Sequence, residues 1–290
     1  MFSKYELLYL FKILDYYEPE LVKIIKYYIN NYTINNNKEL RHAITICCNI
    51  RNEHNIYTDI DIKYWDVSNI TDMSMLFSYK YNFNDDISRW DTSSVINMNL
   101  MFQNTYVFNQ PIGNWDVSNV TNMKDMFCYA KCFNQPLNNW DISNVTNMSH
   151  MFSSAKYFNQ PLDSWNTSKV IYMNDMFSYA INFNQPIGSW NIENVINIKG
   201  MLGYTTNFNQ PLCSWNISKV KNIEYIFYRH ENNPDDNTVY ESDEDDEYII
   251  YNLDFNIKNL IINGWLFNEQ TNYNQPDTIS HFKQHYISLM

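Results

Sequence analysis

Hydrophobic and polar positions follow a pattern along most of this 290-residue chain that returns every 25 residues. In its best copy, which begins at Trp115, the residues Met123, Met126, Phe127 and Ala130 follow one another at i, i+3, i+4 and i+7. This spacing places four side chains on one face of a helix. We therefore expect a helix of about three turns over residues 121–130, and an equivalent helix in each of the other copies.

The rest of each copy predicts a turn followed by a short extended segment, because residues 133–145 contain Pro136 and then Trp140. One helix and one strand per copy is the simplest assignment, and it gives an α/β solenoid of stacked 25-residue units. Parallel strands stack about 4.8 Å apart, whereas packed helices lie about 8 to 10 Å apart. We therefore expect the stack to curve into an arc or a superhelix.

Two columns of residues keep the 25-residue period and are predicted to form the structural ladder of the stack. The first is a tryptophan column, formed by Trp65, Trp90, Trp115, Trp140, Trp165, Trp190 and Trp215. The second is a Phe-Asn pair, found at Phe83-Asn84, Phe108-Asn109, Phe133-Asn134, Phe158-Asn159, Phe183-Asn184 and Phe208-Asn209. We expect each Asn side chain to satisfy backbone groups in the turns between units.

A further polar column follows the tryptophans and consists of Asp66, Asp91, Asp116, Asp141, Asn166, Asn191 and Asn216. Four aligned carboxylates are a candidate cation site, but each side chain is also placed to accept from the amide two residues ahead in an Asx-turn. Neutral Asn in the later copies suits the turn and weakens a cation site. We therefore favour the turn and expect no bound metal.

The cysteines and histidines give little support to a metal site or a disulfide. Residues His42, Cys47, Cys48 and His54 lack the Cys-x-x-Cys spacing of a zinc site. The other three cysteines, Cys128, Cys132 and Cys213, occupy unrelated positions in the repeat. We expect reduced thiols that serve mainly in packing.

The pattern divides the chain into six segments. Residues 65–230 hold seven units, residues 249–277 hold a degraded eighth, and residues 38–64 and 278–290 are predicted to cap the ends. Residues 231–248 are an acidic insertion with nine Asp or Glu and no Lys or Arg between Glu231 and Glu247, a composition typical of disorder. Within it, Ser242 is a possible phosphorylation site, because acidic residues follow it directly.

Residues 1–37 form a separate helical segment in which two predicted helices meet at Pro19. One interpretation is that these helices pack on the first unit as part of the cap. The other is a partner-binding helix pair, since residues 13–21, Ile-Leu-Asp-Tyr-Tyr-Glu-Pro-Glu-Leu, resemble an F-box core without its opening Leu-Pro. That resemblance would imply a substrate adaptor of a ubiquitin ligase.

The motif Trp-Asp-Val-Ser-Asn-Val-Thr-Asn-Met, followed by Met-Phe and then Phe-Asn-Gln-Pro, resembles the BspA-type repeat. This repeat is also called a mycoplasma lipoprotein repeat of unknown function, and it is grouped with leucine-rich-repeat proteins. The resemblance covers residues 65–228 and implies a leucine-rich-repeat-like solenoid that acts in adhesion or protein binding, without catalytic residues. The family is known from bacterial surface proteins, large DNA viruses and protists.

Composition narrows the possible functions. The net charge of −12 argues against nucleic acid as a partner. The chain has only five glycines, no Gly-x-Ser-x-Gly and no His-Glu-x-x-His, so we expect neither an enzyme nor a cofactor. The varied pairs Lys124-Asp125 and Ser149-His150 of successive predicted helices are what an exposed binding face would carry.

No run of about 18 apolar residues, cleavage site or lipobox cysteine is evident, so we expect neither a membrane span nor a signal peptide. Abundant Asn and Tyr and scarce Gly favour an AT-rich source, such as a large DNA virus whose protein stays in host cytoplasm. The predicted function is an intracellular protein–protein interaction scaffold for an unidentified protein partner. The alternatives are the F-box-like adaptor and a virion structural or surface adhesion protein.

Overall fold

A computed structural model describes residues 34–54, 61–212 and 214–227. The predicted N-terminal helix pair, the acidic insertion with Ser242, the eighth unit and the C-terminal cap lie outside the described residues. Within the described ranges there is one α-helix, α1, over Asn37–His54, followed by a single 3-10 turn over Ile62–Tyr64. From Trp65 onward the chain runs through successive 25-residue units, and positions in a unit are numbered from its Trp as position 1.

The helix predicted over residues 121–130 is not formed, and residues 124–129 instead make consecutive turns. Asp125 and Tyr129 adopt φ angles of 56° and 59°, in the left-handed region that an α-helix cannot contain. The N–H groups of Asp125 and Phe127 donate to carbonyls of the next unit, those of Ser149 and Met151, both at 2.9 Å. The prediction is wrong because bonds between units replace the bonds that a helix would make within itself.

The strand predicted over residues 133–145 is not formed, and the described units instead pair through isolated parallel bridges at position 8, at the start of the predicted helix. The bridges join residues 25 apart: Asp72 to Asn97, Asn97 to Asn122, Asn122 to Asn147, Asn147 to Tyr172, Tyr172 to Asn197 and Asn197 to Asn222. The N–H of position 7 donates to the same position one unit earlier, as Thr146 does to Thr121 at 2.9 Å. The expected curvature assumed packed helices, which these units lack.

The core is a set of buried columns that run through the units. Phe127 stacks on Phe152 of the next unit with ring centroids 5.5 Å apart, and it stacks on Phe133 of its own unit at 4.0 Å. Met, Val and Trp fill the remaining inward positions, and most of these side chains are fully buried. A single unit cannot enclose this apolar surface, so each unit depends on its neighbours for burial.

Helix α1 lies against the first unit, where a preceding unit would otherwise stand. It begins after Asn36, whose side chain accepts the N–H of Glu39 at 3.0 Å, as expected of an N-cap residue. Its inward residues Leu40, Ala43 and Ile44 are buried in the common core. On its polar side, Arg41 forms an ion pair with Asp72 at 3.4 Å.

Candidate interaction surface

The predicted Asn column is continuous along the described units. Each Asn side chain accepts the N–H of the equivalent Asn one unit later, as Asn109 does from Asn134 and Asn134 does from Asn159, both at 2.9 Å. The following Gln uses its amide on the same neighbour, since Nε2 of Gln160 lies 3.0 Å from Oδ1 of Asn134. These amides are therefore committed to joining units, in the same way at Asn84, Asn159 and Asn184.

The tryptophan column joins units in a second way. The indole N–H of Trp140 donates to the carbonyl of Ile112 at 3.1 Å, and that of Trp165 donates to the carbonyl of Leu137 at 3.0 Å. In each case the acceptor belongs to the turn immediately before the preceding Trp. The ring is otherwise buried, with 3% of Trp140 exposed. These residues form the ladder and present no chemistry to the surface.

The Asx column forms turns. Asp116 accepts from the N–H of Ser118 at 3.0 Å and from its hydroxyl at 2.6 Å, and Asn166 accepts from the N–H of Ser168 at 3.2 Å. The two bonds from Ser118 hold the pKa of the Asp116 carboxyl below its ordinary value. Within residues 34–54, 61–212 and 214–227, no group of three or more His, Cys, Asp or Glu side chains is placed to hold a metal ion.

The varied pairs that were expected on an exposed helix face are partly covered. Ser149 is 4% exposed, and its hydroxyl donates to Oδ1 of Asn174 at 2.7 Å. His150 lies 3.7 Å from Asp175 in the next unit. Burial raises the pKa of the Asp125 carboxyl, and this effect is larger than the lowering by His150 and Lys124. This surface is therefore largely occupied with contacts between units.

A different surface carries most of the exposed tyrosines of the described residues, and we name it the tyrosine edge. It comprises positions 15 to 18 of six units, with position 16 buried in every unit but the first: residues 79–82, 104–107, 129–132, 154–157, 179–182 and 204–207. Large exposed side chains on it are Tyr79, Tyr81, Val107, Tyr129, Tyr157 and Tyr179. Tyrosine is enriched at protein interfaces, because its ring buries a large area while its hydroxyl keeps a polar contact.

Local backbone geometry turns these side chains outward. Position 15 adopts a positive φ, 60° at Tyr79 and 59° at Tyr179, which reverses the chain. Positions 16 and 19 are joined by a turn, as in the bond from the N–H of Phe133 to the carbonyl of Ala130 at 3.0 Å. Ala130 and Phe133 are buried, so the two central residues of that turn, positions 17 and 18, face outward.

The tyrosine edge has its own electrostatic character. Lys80, Lys131 and Lys156 lie on it, and none of its 24 positions is Asp or Glu. The ammonium of Lys131 lies 4.7 Å from the ring centroid of Tyr106, a cation–π distance. Sequence reasoning missed this surface because its tyrosines form only an interrupted column, with position 15 occupied by Tyr in four of the six units and the others at positions 17 and 18. The usable signal was a run of nine positions, 12 to 20, without a carboxylate in an acidic chain.

Stacked units with constant buried columns and varied outward positions define a repeat protein with a 25-residue unit. The family described as "Mycoplasma protein of unknown function, DUF285" matches residues 48–156 and 133–240, and the chain belongs to this family. The match agrees coarsely with the resemblance to the mycoplasma repeat. Neither a curated protein nor a solved structure matches the chain. Among the described helical residues, none form a helix long and apolar enough to cross a membrane.

Proposed function

We propose that this protein is a non-enzymatic protein-binding scaffold, in which the units form a solenoid and the tyrosine edge is the binding surface. The observation that carries the proposal is the exposure of aromatic side chains along one edge, including 57% of Tyr79 and 49% of Tyr157. Exposed aromatic residues that share one edge mark interaction sites more often than scattered ones do.

Rigid backbone supports this role. The N–H of Tyr129 donates to the carbonyl of Ser153 at 2.8 Å, and the N–H of Tyr157 donates to the carbonyl of Lys131 at 3.2 Å. Both residues are therefore held from the neighbouring unit as well as from their own. A surface that is ordered before binding loses less conformational entropy when a partner docks.

The proposal predicts that partner capture depends on the edge. In affinity purification with mass spectrometry, full-length protein with Tyr81, Tyr129 and Tyr157 changed to Ser should lose the partners that the unchanged protein recovers. A matched control changes Tyr64 and Tyr172 to Ser, since both are about as exposed but lie off the edge. Partners that survive the edge variant, with circular dichroism unchanged, would refute the edge as the binding surface.

The adaptor role is a second proposal, carried by the F-box-like residues 13–21 outside the described part of the chain. It predicts that full-length protein recovers linker and cullin subunits of a ubiquitin ligase. Changing Leu14 and Pro19 to Ala should remove those subunits and leave edge-dependent partners in place. Recovery of neither class of subunit by the unchanged protein would contradict this role. An adhesion or virion role would instead place the protein on a cell or particle surface.

A cytoplasmic setting is part of the proposal, in a host cell if the source is a large DNA virus. It is supported by two cysteines, since Cys128 and Cys132 are free. Cys132 is exposed, and an exposed free thiol suits a reducing compartment. Immunofluorescence in expressing cells tests the setting, and a signal confined to the cell exterior would contradict it.

A further inference from the structure

We infer that the tyrosine edge binds an extended acidic segment of a partner protein. This inference rests on the proposed function and adds the chemistry of the partner. The chain carries 32 acidic and 20 basic residues, yet the edge carries three lysines and no carboxylate. A surface of cations and tyrosines on an acidic protein is complementary to a segment rich in Asp and Glu.

The rest of the chain does not cancel this local charge. The nearest acidic positions are Asp85, just beyond the edge in the first unit, and position 11, where Asp125 and Asp175 lie. Asp125 is paired with Lys124 at 3.8 Å, and Asp175 lies 3.7 Å from His150. The lysines are the charged side chains on the edge itself, so an acidic segment docked there meets them first.

The spacing of the lysines suits an extended chain that runs along the stack. Lys131 and Lys156 both occupy position 17, in adjacent units that are joined by a parallel bridge. Two residues further on, equivalent phenylalanine rings of successive units lie 5.8 to 6.1 Å apart, and alternate side chains of an extended chain lie about 6.6 Å apart on one side. Carboxylates at every second residue can thus meet successive lysines, since the lysine side chains are long and adjustable.

The tyrosines supply the remaining contacts. Tyr106 lies under the ammonium of Lys131, and Tyr157 lies 6.0 Å from that of Lys156, so each of these lysines has an aromatic neighbour. Ring contacts of this kind restrict the ammonium groups without neutralising their charge. The edge extends over six units, and five steps of about 6 Å match about nine residues of extended chain.

The experiment is a selection of random peptides displayed on phage against full-length protein, followed by fluorescence anisotropy with the most enriched peptide. We expect enriched peptides to be acidic and their affinity to fall as salt is raised. Changing both Lys131 and Lys156 to Glu should weaken binding by about tenfold or more. The matched control changes Lys169 and Lys219 to Glu, which bind Asn144 and Asn194 on another surface and should leave affinity unchanged.

Three outcomes overturn the inference. Enriched peptides that are neutral or basic, and that still depend on Tyr81, Tyr129 and Tyr157, would keep the binding scaffold but reject the acidic partner. No enriched peptide at all would reject both. Acidic peptides that bind tightly only after residues 243–247 are changed to Asn and Gln would show that the chain's own acidic run competes for the edge, in place of a separate partner.

Discussion

At the scale of single residues, one asparagine serves two neighbouring units. The N–H of Asn134 donates to Asn109 of the unit before, and its side-chain oxygen accepts from Asn159 of the unit after, both at 2.9 Å. The asparagine column could be recognised in the sequence because every unit makes the same contact with the same residue type at the same position. The tyrosine edge was not recognised, because its tyrosines repeat at position 15 in only four of the six units and otherwise occur at positions 17 and 18.

Replacing Asn134 with Ala should lower the free energy of unfolding by about 1 to 2 kcal/mol, because the amide of Asn159 and the side chain of Gln160 lose an acceptor. Urea denaturation measures the loss. The control is Asn134→Asp, which keeps an acceptor oxygen and should cost less. Equal losses in the two variants would mean that the hydrogen bonds contribute little.

Replacing Trp140 with Ala should cost about 3 to 5 kcal/mol, because it empties a buried site in the middle of the stack. It also leaves the carbonyl of Ile112 without its indole donor. Thermal unfolding followed by circular dichroism tests this, with the exposed Tyr172→Ala as control. A melting temperature near that of the unchanged protein would refute the packing described for the tryptophan column.

Asp86 gives a pH-dependent prediction. Burial raises the pKa of its carboxyl, but hydrogen bonds from Lys63 and from Ser88 outweigh burial and lower the pKa to about 2. A lowered pKa in the folded state stabilises the protein above the unfolded value of about 4, and that contribution is lost as pH falls towards about 2. Asp86→Asn should therefore unfold more readily at neutral pH.

The check is urea denaturation of both proteins over that pH range. The difference between unchanged protein and Asp86→Asn should shrink as the pH falls from about 4 to about 2. A difference that stays constant over this range would mean that the negative charge of Asp86 does not stabilise the folded protein. Asp116 is a second carboxyl whose pKa is lowered in the folded protein. Ser118→Ala removes the hydroxyl that donates to it and so provides a comparison with Asp86.

At the scale of the element, hydrophobic spacing alone did not distinguish a helix from a run of turns. Met123, Met126 and Phe127 are buried in the turns as they would be on one face of a helix. The turns start at every second residue, with bonds from the N–H of Met126 to the carbonyl of Met123 and from that of Cys128 to that of Asp125. The partners of the backbone amides, such as that of Asp125, decide between a helix and a run of turns. Such amides bond to the next unit, and a local pattern cannot show a partner 24 residues away.

Gly188 is sensitive to substitution because the backbone of the next unit passes close to it. A Cβ at this position would lie 2.6 Å from the carbonyl oxygen of Pro211 in the next unit. Gly188→Ala should therefore lower the free energy of unfolding by about 1 to 3 kcal/mol, because backbone must move to relieve the overlap. The control is Asp163→Ala at the same position of the preceding unit, where a Cβ is already present. Similar urea midpoints for the two variants would contradict the close approach.

At the scale of the whole molecule, each unit is stabilised by its nearest neighbours, so disturbance at one end should stay near that end. Helix α1 provides the neighbour for the first unit. Its residue Arg41 bonds to the carbonyl and the hydroxyl of Ser74 and pairs with Asp72. Arg41 therefore contacts the segment of the first unit, around Asp72, that forms a parallel bridge with the second unit.

Arg41→Ala should speed amide hydrogen exchange in residues 73–79 and leave residues 148–154 unchanged. The amides of Met73 and Phe77 donate to the second unit and depend on the first unit staying in place. Exchange measured by mass spectrometry on peptides from both regions tests this, with Lys169→Ala as the control. Faster exchange in both regions would show that the units unfold together as one cooperative body.

The constant register of the bonds between units bears on how such a gene can change. Because equivalent positions in successive units make the same contacts, loss of residues 140–164 would bring Trp165 to the place of Trp140, opposite the carbonyl of Ile112. Recombination that removes or duplicates 25 codons therefore conserves the bonds that recur at every junction, whereas loss of a single codon misaligns the unit in which it falls. Length can vary among descendants by whole units while the chemistry of each junction is inherited unchanged.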